Sequence, residues 1–222
     1  MDVMAVALGA CAAGYGALCG VGAHRALSTG RYRRYADERE RPLPTFRWVA
    51  PVCALLTAVV VWRLIAAGDL PASVLGAVVP GYVVMCAIDL DVHRLPDVLT
   101  LPAYPVLAAG MASVAVSCDR WPDARRALWG GLATWLFFVF LALLSRGQLG
   151  WGDVKLSGSL GALLGWFSWG HLLVGVYAMF LCGGAAALWL LVRRRSHLGS
   201  RLAFGPSMVI GAWGTVVVAA PL

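Results

Sequence analysis

Ile88-Asp89-Leu90-Asp91-Val92-His93-Arg94-Leu95-Pro96-Asp97-Val98-Leu99-Thr100 follows directly on an apolar run, Val74 to Ile88, that contains no charged residue. Taken on to Leu90, the run reads as a membrane helix, and Asp89 then sits at its end. A carboxylate in that place costs free energy unless it is paired, wetted or used. The negative end of the helix dipole disfavours it further. Asp89 is therefore a candidate functional residue, and an acid so placed wants a second acid nearby. Asp91, His93 and Arg94 read instead as a solvated loop, with Pro96 marking the break between two helices. Asp97 is expected to cap the helix that follows.

The rest of the chain is equally apolar. Of its 222 residues 60% are hydrophobic and 13% charged, with a mean hydropathy of +0.78. These values exclude a soluble globular domain and indicate an all-α polytopic membrane protein. The apolar runs predict about eight transmembrane helices: Val3 to Gly22, Trp48 to Ala67, Val74 to Leu90, Val98 to Val116, Ala127 to Leu144, Leu156 to Phe167, His171 to Val192 and Ser207 to Leu222. The first has no basic segment before it and reads as a retained helix rather than a cleaved signal. Residues 1–222 read as a single integral-membrane domain. Between the first two helices, His24 to Arg47 carries seven arginines and no apolar periodicity, and is expected to be a basic cytoplasmic loop. Cys118 to Arg126 reads as a polar loop.

Charge fixes the orientation. The loops at 24–47, 91–97, 145–155 and 193–206 share one side and hold fourteen of the 18 Lys and Arg. By the positive-inside rule that side is cytoplasmic, in the inner membrane, with both chain ends outside. Arg120, Arg125 and Arg126 weigh against this, since they fall on the external side. The net charge of +7 is then an attraction for anionic lipid, and nucleic acid is not expected as a partner. Six scattered cysteines contain no Cys-x-x-Cys pair, and the four histidines are isolated. Neither a disulfide framework nor a metal site is expected. The ten tryptophans fall largely near helix ends, as an aromatic belt would.

On this topology a second acid shares the depth of Asp89. It lies in Gly150-Trp151-Gly152-Asp153-Val154-Lys155, at the start of the sixth helix and the same membrane edge. Gly150 and Gly152 remove side chains beside Asp153 and permit close backbone approach. The positive end of that helix favours an ionised Asp153, while the end of the third disfavours one at Asp89. A pair set apart in this way can keep one carboxylic acid and one carboxylate, as general acid/base activation of water requires. The alternative for Asp153 is an N-cap with ordinary turn glycines.

Ile88-Asp89, then Leu95-Pro96-Asp97-Val98-Leu99-Thr100-Leu101-Pro102, then Gly150-Trp151-Gly152-Asp153-Val154-Lys155, closely resembles the type IV prepilin peptidases, membrane aspartic proteases of the GxGD class. Phe204-Gly205-Pro206 is similar to that family's pattern as well, so the likeness covers roughly residues 74 to 210. The resemblance implies an endopeptidase that cuts the short basic leader from prepilins and pseudopilins, after a glycine, at the cytoplasmic face. It implies that Asp89 and Asp153 activate a water for attack on the scissile carbonyl, with no acyl-enzyme and no metal or other cofactor. Gly150, Gly152, Lys155, Asp97 and Pro96 are candidate substrate-binding or supporting residues. Asp91 and Asp97 are candidates for attracting the basic leader. Many members carry a cytoplasmic domain with two Cys-x-x-Cys pairs after the first helix, associated with N-methylation. Residues 24–47 hold no cysteine, so methyltransferase activity is not expected. A second reading stays open: a small cation or proton-coupled transporter using the same two acids.

Overall fold

The computed structural model describes residues 3–145, 149–193 and 203–219, and the regular structure of those residues is entirely helical. The helices are α1 (Val3–Leu27), the short α2 (Ala36–Arg39), α3 (Val49–Ala66), α4 (Val79–Val92), α5 (Asp97–Cys118), α6 (Trp121–Leu144), α7 (Trp151–Phe167), α8 (Trp169–Val192) and α9 (Gly205–Ala219). Six segments are long and apolar enough to cross a membrane: Met4–Leu27, Phe46–Ala66, Pro71–Val92, Asp97–Cys118, Trp121–Leu144 and Trp169–Val192. The other two of the expected eight, α7 and α9, have 17 and 15 residues. The fold is an all-α multi-pass membrane bundle with six full-length candidate spans and two shorter helices.

Several boundaries differ from the sequence reading, each for a local reason. α1 continues five residues past Gly22, with His24 and Arg25 in its last turn, where cations complement the helix dipole. The third span begins as a 3₁₀ segment, Pro71–Val78, and becomes α-helical at Val79, with Pro80 accommodated in the first α turn. The expected polar loop from Cys118 to Arg126 shrinks to Asp119 and Arg120. Asp119 closes α5 in the left-handed region, at φ 53, and Pro122 is accepted in the first turn of α6. α7 starts at Trp151 and so contains Asp153. The basic residues Arg146, Arg194, Arg195 and Arg201, part of the orientation count, lie outside the described residues, as do the final three positions of the last expected helix.

α4 and α7 form the inside of the bundle. In α4 the residues from Tyr82 to Asp89 are buried except Val84, and in α7 nearly every residue from Val154 to Trp166 is buried. The peripheral helices expose large apolar side chains such as Leu18, Leu128, Phe140, Leu173 and Val192, as a lipid-facing surface does. Without a hydrophobic drive between helices in lipid, close packing has to come from small residues. A Cβ on Gly16 of α1 would lie 2.5 Å from the Cys53 carbonyl oxygen of α3, and one on Gly161 of α7 would lie 2.5 Å from Thr134 of α6.

At the end away from the two motif loops, arginines stitch the helices together. Arg120 pairs with Asp69 and Asp123, both at 2.5 Å, and Arg126 pairs with Asp123 at 2.8 Å. Arg126 also donates to the last carbonyls of α7, those of Gly165 (2.7 Å), Trp166 and Phe167 (2.9 Å). Two of the three arginines that weighed against the orientation are thus bound inside the protein.

Gly16→Ala should therefore destabilise the protein by about 1–3 kcal/mol, because backbone atoms of α3 occupy the new methyl's place. Gly14 faces open space. Gly14→Ala should leave stability unchanged or raise it by up to about 1 kcal/mol through helix propensity. Thermal unfolding of the two purified variants checks this, and equal melting temperatures would contradict the packing.

Candidate active site

Asp89 lies in the last turns of α4 and is only 4% exposed. Its Oδ2 accepts a hydrogen bond from the Gly205 amide, 3.0 Å away, at the first residue of α9. Glycine is required there, since a Cβ on residue 205 would sit 2.9 Å from that same oxygen. α4 ends at His93, an exposed residue in the left-handed region (φ 52) whose amide closes onto the Asp89 carbonyl at 2.9 Å. Ile88, beside Asp89, is buried.

Asp153 is the third residue of α7 and is half-buried. The N-cap position belongs to Gly150, so the N-cap alternative for Asp153 does not hold. Gly150 and Gly152 serve two different neighbours. A Cβ on Gly150 would approach the Asp153 Oδ2 to 3.1 Å, so the glycine leaves the carboxylate room. A Cβ on Gly152 would meet the Leu95 Cβ at 2.8 Å. Leu95, 7% exposed, also reaches toward Gly205, whose Cβ position is 3.5 Å from Leu95 Cδ1. One leucine thus sits against the start of α7 and the start of α9. The Asp89 and Asp153 carboxylates, 64 positions apart in sequence, come within electrostatic reach of each other.

The remaining candidates fall around this pair. Pro96, extended at ψ 135, occupies the N-cap position of α5. Asp97 is therefore the first helical residue and not the cap. It pairs instead with Lys155, Nζ to Oδ1 at 2.6 Å, while the Tyr104 hydroxyl donates to the Lys155 carbonyl. Asp91 is not part of a solvated loop: its side chain is 8% exposed and held by Arg33 and by the Tyr32 hydroxyl. Arg94 pairs with Glu38. Asp91 and Asp97 each carry a partner cation, so neither offers the uncompensated negative charge expected of a leader-attracting residue. Arg33, Tyr32 and Glu38 were not singled out in the sequence. Burial pushes the Tyr32 phenol up and the Asp91 carboxylate pushes it the same way, so Tyr32 stays a neutral donor. The hydrogen bonds to Asp91 hold Arg33 above its ordinary value. Among the described residues, no three His, Cys, Asp or Glu side chains converge as a metal site would need.

The type IV leader peptidase family matches residues 76–191. Proteins named prepilin leader peptidase/N-methyltransferase are similar to the chain. That of Pseudomonas putida is 32% identical over 74% of this chain and 56% of its own length. That of Dickeya chrysanthemi is 37% identical over 61% and 47%, and that of Aeromonas salmonicida 34% over 72% and 53%. The chain spans about half the length of the relatives it matches. No solved structure matches it. The transporter reading gains no support from these likenesses.

If Leu95 is what joins the two aspartate-bearing elements, Leu95→Ala should cost about 2–5 kcal/mol, as deletion of a buried leucine does. Asp97→Asn, which removes only an exposed ion pair, should change stability by less than about 1 kcal/mol. Thermal unfolding of both variants is the measurement, and a larger loss for Asp97→Asn would contradict this account.

Proposed function

This chain belongs to the type IV leader peptidase family, and we propose that it is an aspartic endopeptidase removing the basic leader of type IV prepilins or pseudopilins. The cut is made at the cytoplasmic face of the inner membrane, by a single integral-membrane domain. The observation that carries this reading is that Asp89 and Asp153 lie within electrostatic reach of each other, at the end of α4 and the start of α7, two largely buried helices. A carboxylate takes a proton from a water lying between the two groups as that water attacks the scissile carbonyl. The partner carboxylic acid donates to the carbonyl oxygen as negative charge develops there. The tetrahedral intermediate then collapses, and the leaving amine takes a proton from the pair. No acyl-enzyme forms, and the two protonation steps belong to the pair rather than to either residue. The Gly205 amide fixes the rotamer of Asp89 and leaves Oδ1 for the water.

The relatives' names join two activities, peptidase and N-methyltransferase. We assign the first alone to this chain, because the region between α1 and α3 has no cysteine and is occupied by its own ion pairs. The bilayer is the second partner, through the apolar faces of the outer helices.

Asp89→Asn and Asp153→Asn, in protein that still inserts, should each lower cleavage of a co-produced prepilin by at least roughly 10²-fold. The wild-type product should have an unmethylated N-terminus by mass. Retained cleavage in either variant would refute the assignment. The orientation has its own check. A membrane-impermeant thiol reagent on intact cells should label the exposed Cys118 and not a cysteine introduced by Arg34→Cys. The reverse pattern would place the aspartates outside.

A further inference from the structure

The segment between α1 and α3 is drawn onto the site by one buried guanidinium. Arg33 is 2% exposed and binds Asp91 through two hydrogen bonds, Nε to Oδ2 and Nη2 to Oδ1, both 2.8 Å. The same guanidinium donates to the carbonyls of Arg41 (2.6 Å) and Pro42 (3.3 Å), so it closes its own loop as well. The Tyr32 hydroxyl reaches the same carboxylate at 2.6 Å, and the Tyr32 ring meets Phe46 edge-on. Glu38, also buried, accepts the amides of Arg34 and Tyr35 at 2.9 and 3.2 Å. It pairs with Arg94, whose guanidinium lies 4.2 Å from the Tyr35 ring centroid. Residues 32–42 are therefore a folded strap fastened to the turn two residues beyond Asp89.

Between strap and turn lies a cleft of about 150 Å³. Tyr32 and Arg34 form one wall, and Ile88, Val92, Leu95 and Pro96 form much of the other. Ile88 adjoins Asp89 in the chain, and Leu95 is the residue that touches the starts of α7 and α9. The cleft thus lies beside the segments that carry the aspartate pair, bounded also by Arg94 and Asp97, while Asp89 and Asp153 themselves do not line it. Its size suits a side chain or two of an extended polypeptide and is too little for a folded partner. Arg33 faces Asp91 and two carbonyls, with no donor directed at the cleft.

We propose that this cleft receives the substrate polypeptide beside its scissile bond, and that Arg33 and Asp91 are positioning residues that hold its strap wall in place. The inference rests on the peptidase reading above and names the site at which that substrate is held. Its physical signature follows from the burial of the pair. Removing one partner leaves an uncompensated buried charge and releases the strap, whereas replacing both with apolar side chains of similar volume can keep the contact closed. A group that touched substrate through its charge would not be rescued that way.

The test measures prepilin cleavage by the purified full chain in lipid vesicles, for wild type, Asp91→Asn, Arg33→Leu and the double variant Arg33→Met/Asp91→Leu. Each single variant should raise KM by about tenfold or more with kcat within about threefold, and the double variant should return KM toward wild type. Trypsin should cut the arginine-rich strap faster in the single variants and at the wild-type rate in the double. Wild-type KM in the single variants would overturn the inference while leaving the peptidase. A double variant that resists trypsin like wild type yet keeps the raised KM would also overturn it, by giving the charges themselves to the substrate. Absence of cleavage by wild type would overturn the peptidase reading and this inference together.

Discussion

Two carboxylates brought together among apolar helices repel each other and resist leaving water, so the fold must hold them against both effects. The hold comes from Leu95 lying where Gly152 and Gly205 allow it, and from the Gly205 amide bonded to Asp89. Each glycine matters for the side chain it lacks: one admits the leucine, one admits the carboxylate oxygen, and Gly150 leaves Asp153 free to turn. Leu95, Gly152 and Gly205, each more than fifty positions from the next, therefore make one packing unit of three short motifs, and none of the motifs is explained by its own helix.

Hydropathy made the all-helical membrane class legible, and alternation of the spans put Asp89 and Asp153 at one depth. Positions of helix ends were less legible where polar residues sit inside a helix. The Cys118 to Arg126 stretch read as loop because its charges resemble a solvated segment, yet Asp69, Asp123 and the α7 carbonyls absorb them. Asp91 and Asp97 misled for a related reason. Their partners, Arg33 and Lys155, each lie 58 positions away, and a pairing over that distance leaves no trace in local pattern. Arg33 is one of seven arginines between His24 and Arg47, and nothing in the string of letters marks it as the buried one.

The same partition of charge bears on how the bundle sits in lipid. Buried or internally paired arginines do not face headgroups, so a count of basic residues overstates what the bilayer feels at either end. Arg33 is spent inside the strap, and Arg120 and Arg126 inside the opposite end. Among the described residues 119–126, the arginine left exposed is Arg125.

Arg126 has a further effect. The carbonyls in the last turn of α7, a helix of 17 residues, have no intrahelical donors and need partners from elsewhere. One guanidinium satisfies three of those carbonyls in water's stead. Arg126 thus closes the last turn of α7 from within the protein, at the end of that helix opposite Asp153.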